Sequence, residues 1–234
     1  MAGKLAKSMK TKSDQLGESN IYHLPKKEVQ IPGTTTIRKF EMGESPKSHK
    51  IIQHKVVMIM GGTGTGKSTL INAMVNHIQG VKWEDNFRFK LIIDGLASPQ
   101  TKSITQSITA YTIHLMAGAC LPYTLTVIDT PGFEDTEGLE RDKETVRQLK
   151  EFFSLKDGNG IDHLDAIAFV TPAPCVRLTP AQHYVYASVL DTFGKDVENN
   201  IFAMITFCDN HEPLAIAAIQ EAQIPCSQFL KFNN

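Results

Sequence analysis

Apolar and polar positions along the chain change rhythm near residue 51. From there on, short apolar runs alternate with stretches at helical spacing. Val56–Met60 is a compact apolar run closed by glycines, as expected of a buried parallel strand. Residues 68–78 place Leu70, Ile71, Met74, Val75 and Ile78 on one helical face and stop near Gly80. Residues 87–93 and 108–115 alternate and predict strands, read as an antiparallel pair. Residues 125–128 read as another buried strand. Residues 141–153 read as a helix with Val146, Leu149, Phe152 and Phe153 on one side. A strand is predicted over 166–170, and a helix over 179–190 with Thr179 as its N-cap and Pro180 in its first turn. A strand over 201–207, a helix over 213–222 and a last strand begun at 229–232 complete the pattern. Strands separated by helices predict one α/β domain, with a doubly wound, mostly parallel sheet and helices on both faces.

Residues 1–50 show no such period. They carry scattered lysines, Pro25, Pro32-Gly33, a run of three threonines and Ser45-Pro46. The expectation is a flexible basic arm over 1–50 and a globular domain over 51–234. Charge divides the same way. The formal net charge of −1 hides ten Lys/Arg against five Asp/Glu in the first 50 residues, and an acidic remainder. The arm's lysines suit a peripheral contact with an anionic membrane or a partner, and the plainer reading is a solvated tail. The near-neutral total gives no electrostatic case for nucleic-acid binding. No apolar run approaches the roughly 18 residues of a membrane-spanning helix, and the first residues lack the apolar stretch of a secretory signal. Four scattered cysteines without a CxxC pair argue against a disulfide scaffold or zinc site and fit a reducing, cytoplasmic setting.

The chemistry begins at Gly61-Gly62-Thr63-Gly64-Thr65-Gly66-Lys67-Ser68, followed by Thr69. It matches G-x-x-x-x-G-K-[ST] and lies between a buried strand and a helix, where such a loop must lie to work. Glycines let successive N–H groups turn toward phosphate oxygens, and the helix start adds its positive end. Lys67 is expected to reach the β- and γ-phosphates and Ser68 to ligand Mg²⁺. Kinases, ATPases and GTPases share this loop, so it fixes a phosphate site and no base.

Asp129-Thr130-Pro131-Gly132 follows the strand at 125–128. Asp129 is placed to hold Mg²⁺ through a water, and the Gly132 N–H to approach the γ-phosphate. Between the two motifs runs the polar stretch 100–107. Thr105 is the chosen switch ligand there, for Mg²⁺ and the γ-phosphate, with Thr101 and Thr109 as alternatives. On the base side, the strand at 201–207 ends in Thr206-Phe207-Cys208-Asp209. An Asp just past that strand accepts from N1–H and the 2-amino group of guanine, a pair adenine lacks. The common GTPase pattern is Asn-Lys-x-Asp; here Thr206 and Phe207 stand for the first two residues. Asn233, with Asn234 as the alternative, follows the last predicted strand and is the candidate to close the pocket, and the domain is read as ending at that base-binding loop.

Together these motifs resemble the septin-like GTPases of the immunity-associated (GIMAP-type) class, with the chloroplast outer-envelope import GTPases as cousins. The carrying residues are 61–68, Ser103-Ile104-Thr105, 129–132, 206–209 and Phe232-Asn233-Asn234. The resemblance implies a P-loop GTPase fold, GTP/GDP as ligand with Mg²⁺, slow hydrolysis and a homodimer or oligomer through the nucleotide face. Ras-like GTPases place a water-orienting Gln just after Asp-x-x-Gly; this chain has Phe133-Glu134-Asp135 there. In the family resembled, an Arg ahead of a helix start acts in the partner's site, and Arg177, before Leu178-Thr179-Pro180-Ala181-Gln182, is similar to it. The readings left open are a GTPase activated by dimerisation and an assembly module with negligible hydrolysis. A kinase would need a lid rich in arginines, and only Arg88, Arg141 and Arg147 follow the phosphate loop up to residue 150, dispersed.

Overall fold

The protein's structure is a computed structural model that describes residues 2–17, 19–34, 36–44, 52–93, 107–133, 139–155 and 160–233. The strands are β1 (Asp14–Gln15), β2 (Ile21–His23), β3 (Lys27–Val29), β4 (Ile37–Met42), β5 (His54–Gly61), β6 (Arg88–Lys90), β7 (Ile108–Ile113), β8 (Thr124–Asp129), β9 (Ala166–Pro172), β10 (Ile201–Thr206) and β11 (Gln228–Lys231). The helices are α1 (Ala2–Thr11), α2 (Lys67–Ile78), α3 (Leu139–Ser154), α4 (Pro180–Phe193) and α5 (Leu214–Glu221). A 3₁₀ turn spans Lys195–Asn200.

Eight strands form the main sheet in the order β11-β10-β9-β5-β8-β7-β4-β3. The β7–β8 and β3–β4 pairs are antiparallel and the other five are parallel. Successive strand residues feed opposite faces, so the sheet builds two cores. Met58, Ile128, Ala203 and Ile205 pack with Phe152 of α3, Val185 and Val189 of α4, and Ile219 of α5. Ile59, Val127 and Met204 pack with Leu70, Ile71 and Val75 of α2 and with Ala6 and Met9 of α1. Helices therefore cover both faces of a mostly parallel sheet, as the alternating pattern predicts.

The helix at 180 starts as its sequence dictates. Thr179 accepts from the Gln182 N–H, Gln182 returns the bond to the Thr179 N–H, and Pro180 occupies the first turn. β11 runs parallel to β10, pairing Phe202 with Gln228 through Ile205 with Lys231.

Two expectations need correction. Residues 1–50 are not a flexible arm as far as they are described. β4 enters the main sheet beside β7, with Ile37 opposite Ile108 and Met42 opposite Ile113. Ala6, Met9, Leu24, Ile37, Phe40 and Met42 are buried. The segment holds few apolar residues, but it spaces them for one helix face and one strand face. Each fully buried aliphatic or aromatic side chain adds about 1.5–3 kcal/mol, which a composition average conceals. Residues 88–90 and 108–113 also do not pair with each other. β6 pairs parallel with β2 in a small sheet of order β1-β2-β6, where Phe87 meets Tyr22 and Phe89 edge-on. Both of β7's partners, β4 and β8, lie elsewhere in the sequence. Among the described residues no helix is long and apolar enough to cross a membrane.

Candidate nucleotide site

The site lies at the carboxyl ends of β5, β8, β9 and β10, the usual place for a ligand in an open α/β sheet. β5 runs into the phosphate loop at Gly61. A β-carbon at Gly61 would run into the Val170 carbonyl of the neighbouring strand, so the close approach requires glycine. Gly66, at φ 92°, turns the chain into α2, and no side chain caps that helix. Its first-turn N–H groups are left to an anion.

Lys67 is buried, with 8% of its surface exposed, and folds over the loop. Its ammonium donates to the carbonyls of Gly61 at 2.8 Å and Gly62 at 2.9 Å. Burial pushes its pKa down to about 8, against the opposing pull of Asp129. Asp129 ends β8, paired with Ile59, and is 1% exposed. Thr65 donates from its hydroxyl to the Gly62 carbonyl at 2.9 Å.

The loop after β8 closes on the phosphate loop. The Thr63 N–H donates to the Phe133 carbonyl at 2.9 Å and the Phe133 N–H to the Gly61 carbonyl at 3.3 Å. Thr130 is wholly buried, its hydroxyl bonded to the Ile59 carbonyl at 2.9 Å. Gly132 lies flat against Thr63: a β-carbon there would stand 2.8 Å from the Thr63 Cα and 2.9 Å from its nitrogen.

The base side is tied to the phosphate side by one buried bond. The Thr206 hydroxyl, at the end of β10, donates to the Thr65 carbonyl at 2.7 Å. Beyond it Phe207 has φ 54° and a half-exposed ring. The Cys208 N–H donates to the Phe232 carbonyl at 2.9 Å, which brings the turn at 207–209 beside the segment that leads to Asn233. Asp209 and Asn233 are exposed. The Asp209 carboxylate accepts from the His211 N–H at 2.8 Å and pairs with His211 Nδ1 at 2.9 Å. That pairing holds the Asp209 carboxyl below its ordinary value and raises the His211 imidazole.

The fold thus brings together residues 61–69, Asp129, Gly132 and Thr206, with Asp209 and Asn233 at the adjoining edge. Ser68 is half-buried in the first turn of α2. Thr105, and with it Thr101 and Asn234, lies outside the described residues; the alternative Thr109 is buried in β7 opposite Asp129, its hydroxyl on the Ser107 carbonyl at 3.2 Å. Arg177 is exposed between β9 and α4 and lines a cavity of about 210 Å³ with His183 and Glu221. Two roles escaped the sequence reading. Thr206 is the brace between the two halves of the site. Gln182 has its amide nitrogen 3.7 Å from where a β-carbon on Gly62 would stand, and the signal that finds it is the Thr-x-x-Gln capping box.

Residues 52–138 match the family model of the elongation factor Tu GTP binding domain. The fold is α/β, a mostly parallel sheet with helices on both faces and a phosphate-loop sequence between β5 and α2. No curated protein matches it in sequence. Among solved structures, Toc33 from Arabidopsis thaliana in complex with Mg²⁺ and GMPPNP is 17% identical, covering 78% of this chain and 71% of that one, with a TM-score of 0.47. Toc33 in complex with GDP and Mg²⁺ is 15% identical over 77% of this chain and 70% of that one, with a TM-score of 0.47. A structure described by the importance of dimerization for the GTPase activity of the chloroplast translocon components atToc33 and psToc159 is 15% identical over 78% of this chain and 70% of that one, with a TM-score of 0.46.

Proposed function

We propose that this protein binds GTP with Mg²⁺ and hydrolyses it slowly, as a cytoplasmic GTPase of the septin-like, immunity-associated class. The observation that carries the reading is the physical link between its two halves: a phosphate loop braced through Thr65 and Thr206 to the turn that presents Asp209. The match of residues 52–138 to a GTP-binding family model supports the same reading.

The residues take these roles. The backbone of 61–69 and the Lys67 ammonium hold the β- and γ-phosphates. Ser68, Thr105 and, through a water, Asp129 would hold Mg²⁺, and their hydroxyl and carboxylate oxygens suit that hard cation. Bound there, the metal would neutralise charge on the β- and γ-oxygens. The Gly132 N–H serves the γ-phosphate. Asp209 selects guanine and Asn233 closes over the base.

Turnover rises on homodimerisation across the nucleotide face, where Arg177 supplies positive charge to the partner's site. Arginine fingers of this kind are worth about 10³–10⁵ in rate. The first test is the nucleotide retained on purification: GDP or GTP supports the reading and an adenine nucleotide overturns it. Specific activity should then rise with protein concentration; a flat profile removes the dimer. The absence of Gln from Phe133-Glu134-Asp135 favours a second reading, an assembly module with negligible hydrolysis. Prompt phosphate release in a single turnover rejects that alternative.

A further inference from the structure

The hydroxyl oxygen of Thr63 is buried and makes no hydrogen bond. Three polar groups of the same loop are engaged. The Thr63 N–H is bonded to Phe133, the Thr65 hydroxyl to Gly62, and the Lys67 ammonium to Gly61 and Gly62. Buried hydroxyls almost always find a partner, because leaving one unpaired is destabilising. The place of this one is specific. A β-carbon on Gly132 would stand only 2.5 Å from it, so the hydroxyl faces the glycine of Asp-Thr-Pro-Gly across the mouth of the phosphate loop. Lys67 lies beneath residues 61 and 62, immediately next to it in the chain. An ammonium, a glycine backbone and an unengaged donor therefore border one small region, beyond the turn where α2 offers its amides.

We propose that the Thr63 hydroxyl is a direct ligand of the terminal phosphoryl group, donating a hydrogen bond to a γ-phosphate oxygen. The inference rests on the GTPase reading and adds a residue to it. A diphosphate has no such oxygen, so the bond distinguishes GTP from GDP. In hydrolysis, water attacks the γ-phosphorus, the bond from phosphorus to the β–γ bridging oxygen breaks, and GDP and phosphate leave. The water's protons stay with the products. Thr63 keeps its own proton throughout and acts as a fixed donor to charge on the transferring group. The strain of an unpaired buried donor in the nucleotide-free protein is relieved when the triphosphate binds.

Thr63→Val keeps the shape and removes the hydroxyl; Thr63→Ser restores the hydroxyl on a smaller side chain. The measurements are the Kd of GMPPNP and of GDP, each with Mg²⁺, the single-turnover rate with GTP, and the Tm of the nucleotide-free full chain. For Thr63→Val, GMPPNP affinity should fall about 10- to 100-fold, the worth of a hydrogen bond to a charged group, while GDP affinity changes by about twofold or less. The single-turnover rate should fall about 10-fold or more, and the nucleotide-free Tm should hold or rise. Thr63→Ser should recover most of both losses. Equal losses for GDP and GMPPNP, no loss at all, or a lower nucleotide-free Tm in Thr63→Val would overturn the assignment. A wild-type chain that binds neither GTP nor GDP would instead overturn the GTPase reading itself.

Discussion

The phosphate end and the base end of the candidate site are built by opposite means. At the phosphate end Lys67, Thr65, Asp129 and Thr130 are buried, and Lys67, Thr65 and Thr130 bond to main-chain carbonyls. At the base end Asp209, His211 and Asn233 are exposed, and among the described residues Asp209 is held by a residue two positions away. The first is preorganised by the core, so its geometry costs nothing further when a ligand arrives. The second is a surface turn fastened at two points, the Thr206 hydroxyl and the Cys208 N–H. Affinity should therefore reside mainly in the phosphates and selectivity in a part that the fold holds less firmly.

The sharpest way to break that contrast is to remove the buried cation. Lys67→Ala should lower triphosphate affinity about 100-fold or more, since charge-assisted bonds to phosphate are lost at a site sealed from water. Isothermal titration with GMPPNP measures it. A loss below about tenfold would mean that the loop amides hold the phosphates unaided. Next in size is Asp209→Ala, which should reduce GTP affinity about 10- to 100-fold and leave ATP affinity unchanged. Competition of labelled GTP by both nucleotides reads it. An equal loss for ATP would deny Asp209 a role in choosing the base.

Thr206→Val tests the brace between the two ends. It leaves the buried Thr65 carbonyl without its 2.7 Å partner, at a cost of about 1–3 kcal/mol in a urea titration. Because the brace serves both ends, the GTP-over-ATP preference and the affinity for GMPPNP should fall together. A stability loss with both unchanged would make Thr206 a core residue and nothing more.

The same contrast explains what could be read from the chain. The phosphate loop was legible because its chemistry needs eight consecutive residues between a strand and a helix, and the structure adds only the orientation of Lys67 and Thr63. The N-cap at Thr179 and Pro180 in the first turn were legible for the same reason: the determinants are local. The fold of residues 2–44 was not. Phe40 stacks on Tyr111 and β4 pairs with β7, partners about 70 positions away that no window of sequence contains. β6 misled by its alternation, which specifies a strand but not which strand it joins. Thr206 looked like a weakened Asn because sequence shows the substitution and not the carbonyl that the hydroxyl finds.

The smallest expected effect belongs to His211, and its pH dependence sharpens the comparison most. Both groups of the Asp209–His211 pair are exposed, so the pair is screened and its contribution to stability is small. Its direction is still fixed. The imidazole is raised by the carboxylate, so its share is fully present below the unfolded value near 6.5 and is lost as pH rises through the higher folded value. The carboxyl is lowered by the imidazole, so its share is present above about 3.9 and is lost as pH falls through the lower folded value. The pair therefore steadies the turn between those limits and releases it as pH rises through the raised value of the imidazole. Each carboxylate oxygen can accept a second bond, so guanine need not displace His211. His211→Ala should weaken GTP binding about two- to threefold at pH 6, where the imidazole is charged, and by less at pH 8. GMPPNP titrations of both proteins at the two pH values measure it. Equal losses at pH 6 and pH 8 would show that the ring acts without its charge, and no loss at either would show that the His211 backbone N–H, kept in the variant, orients Asp209 unaided.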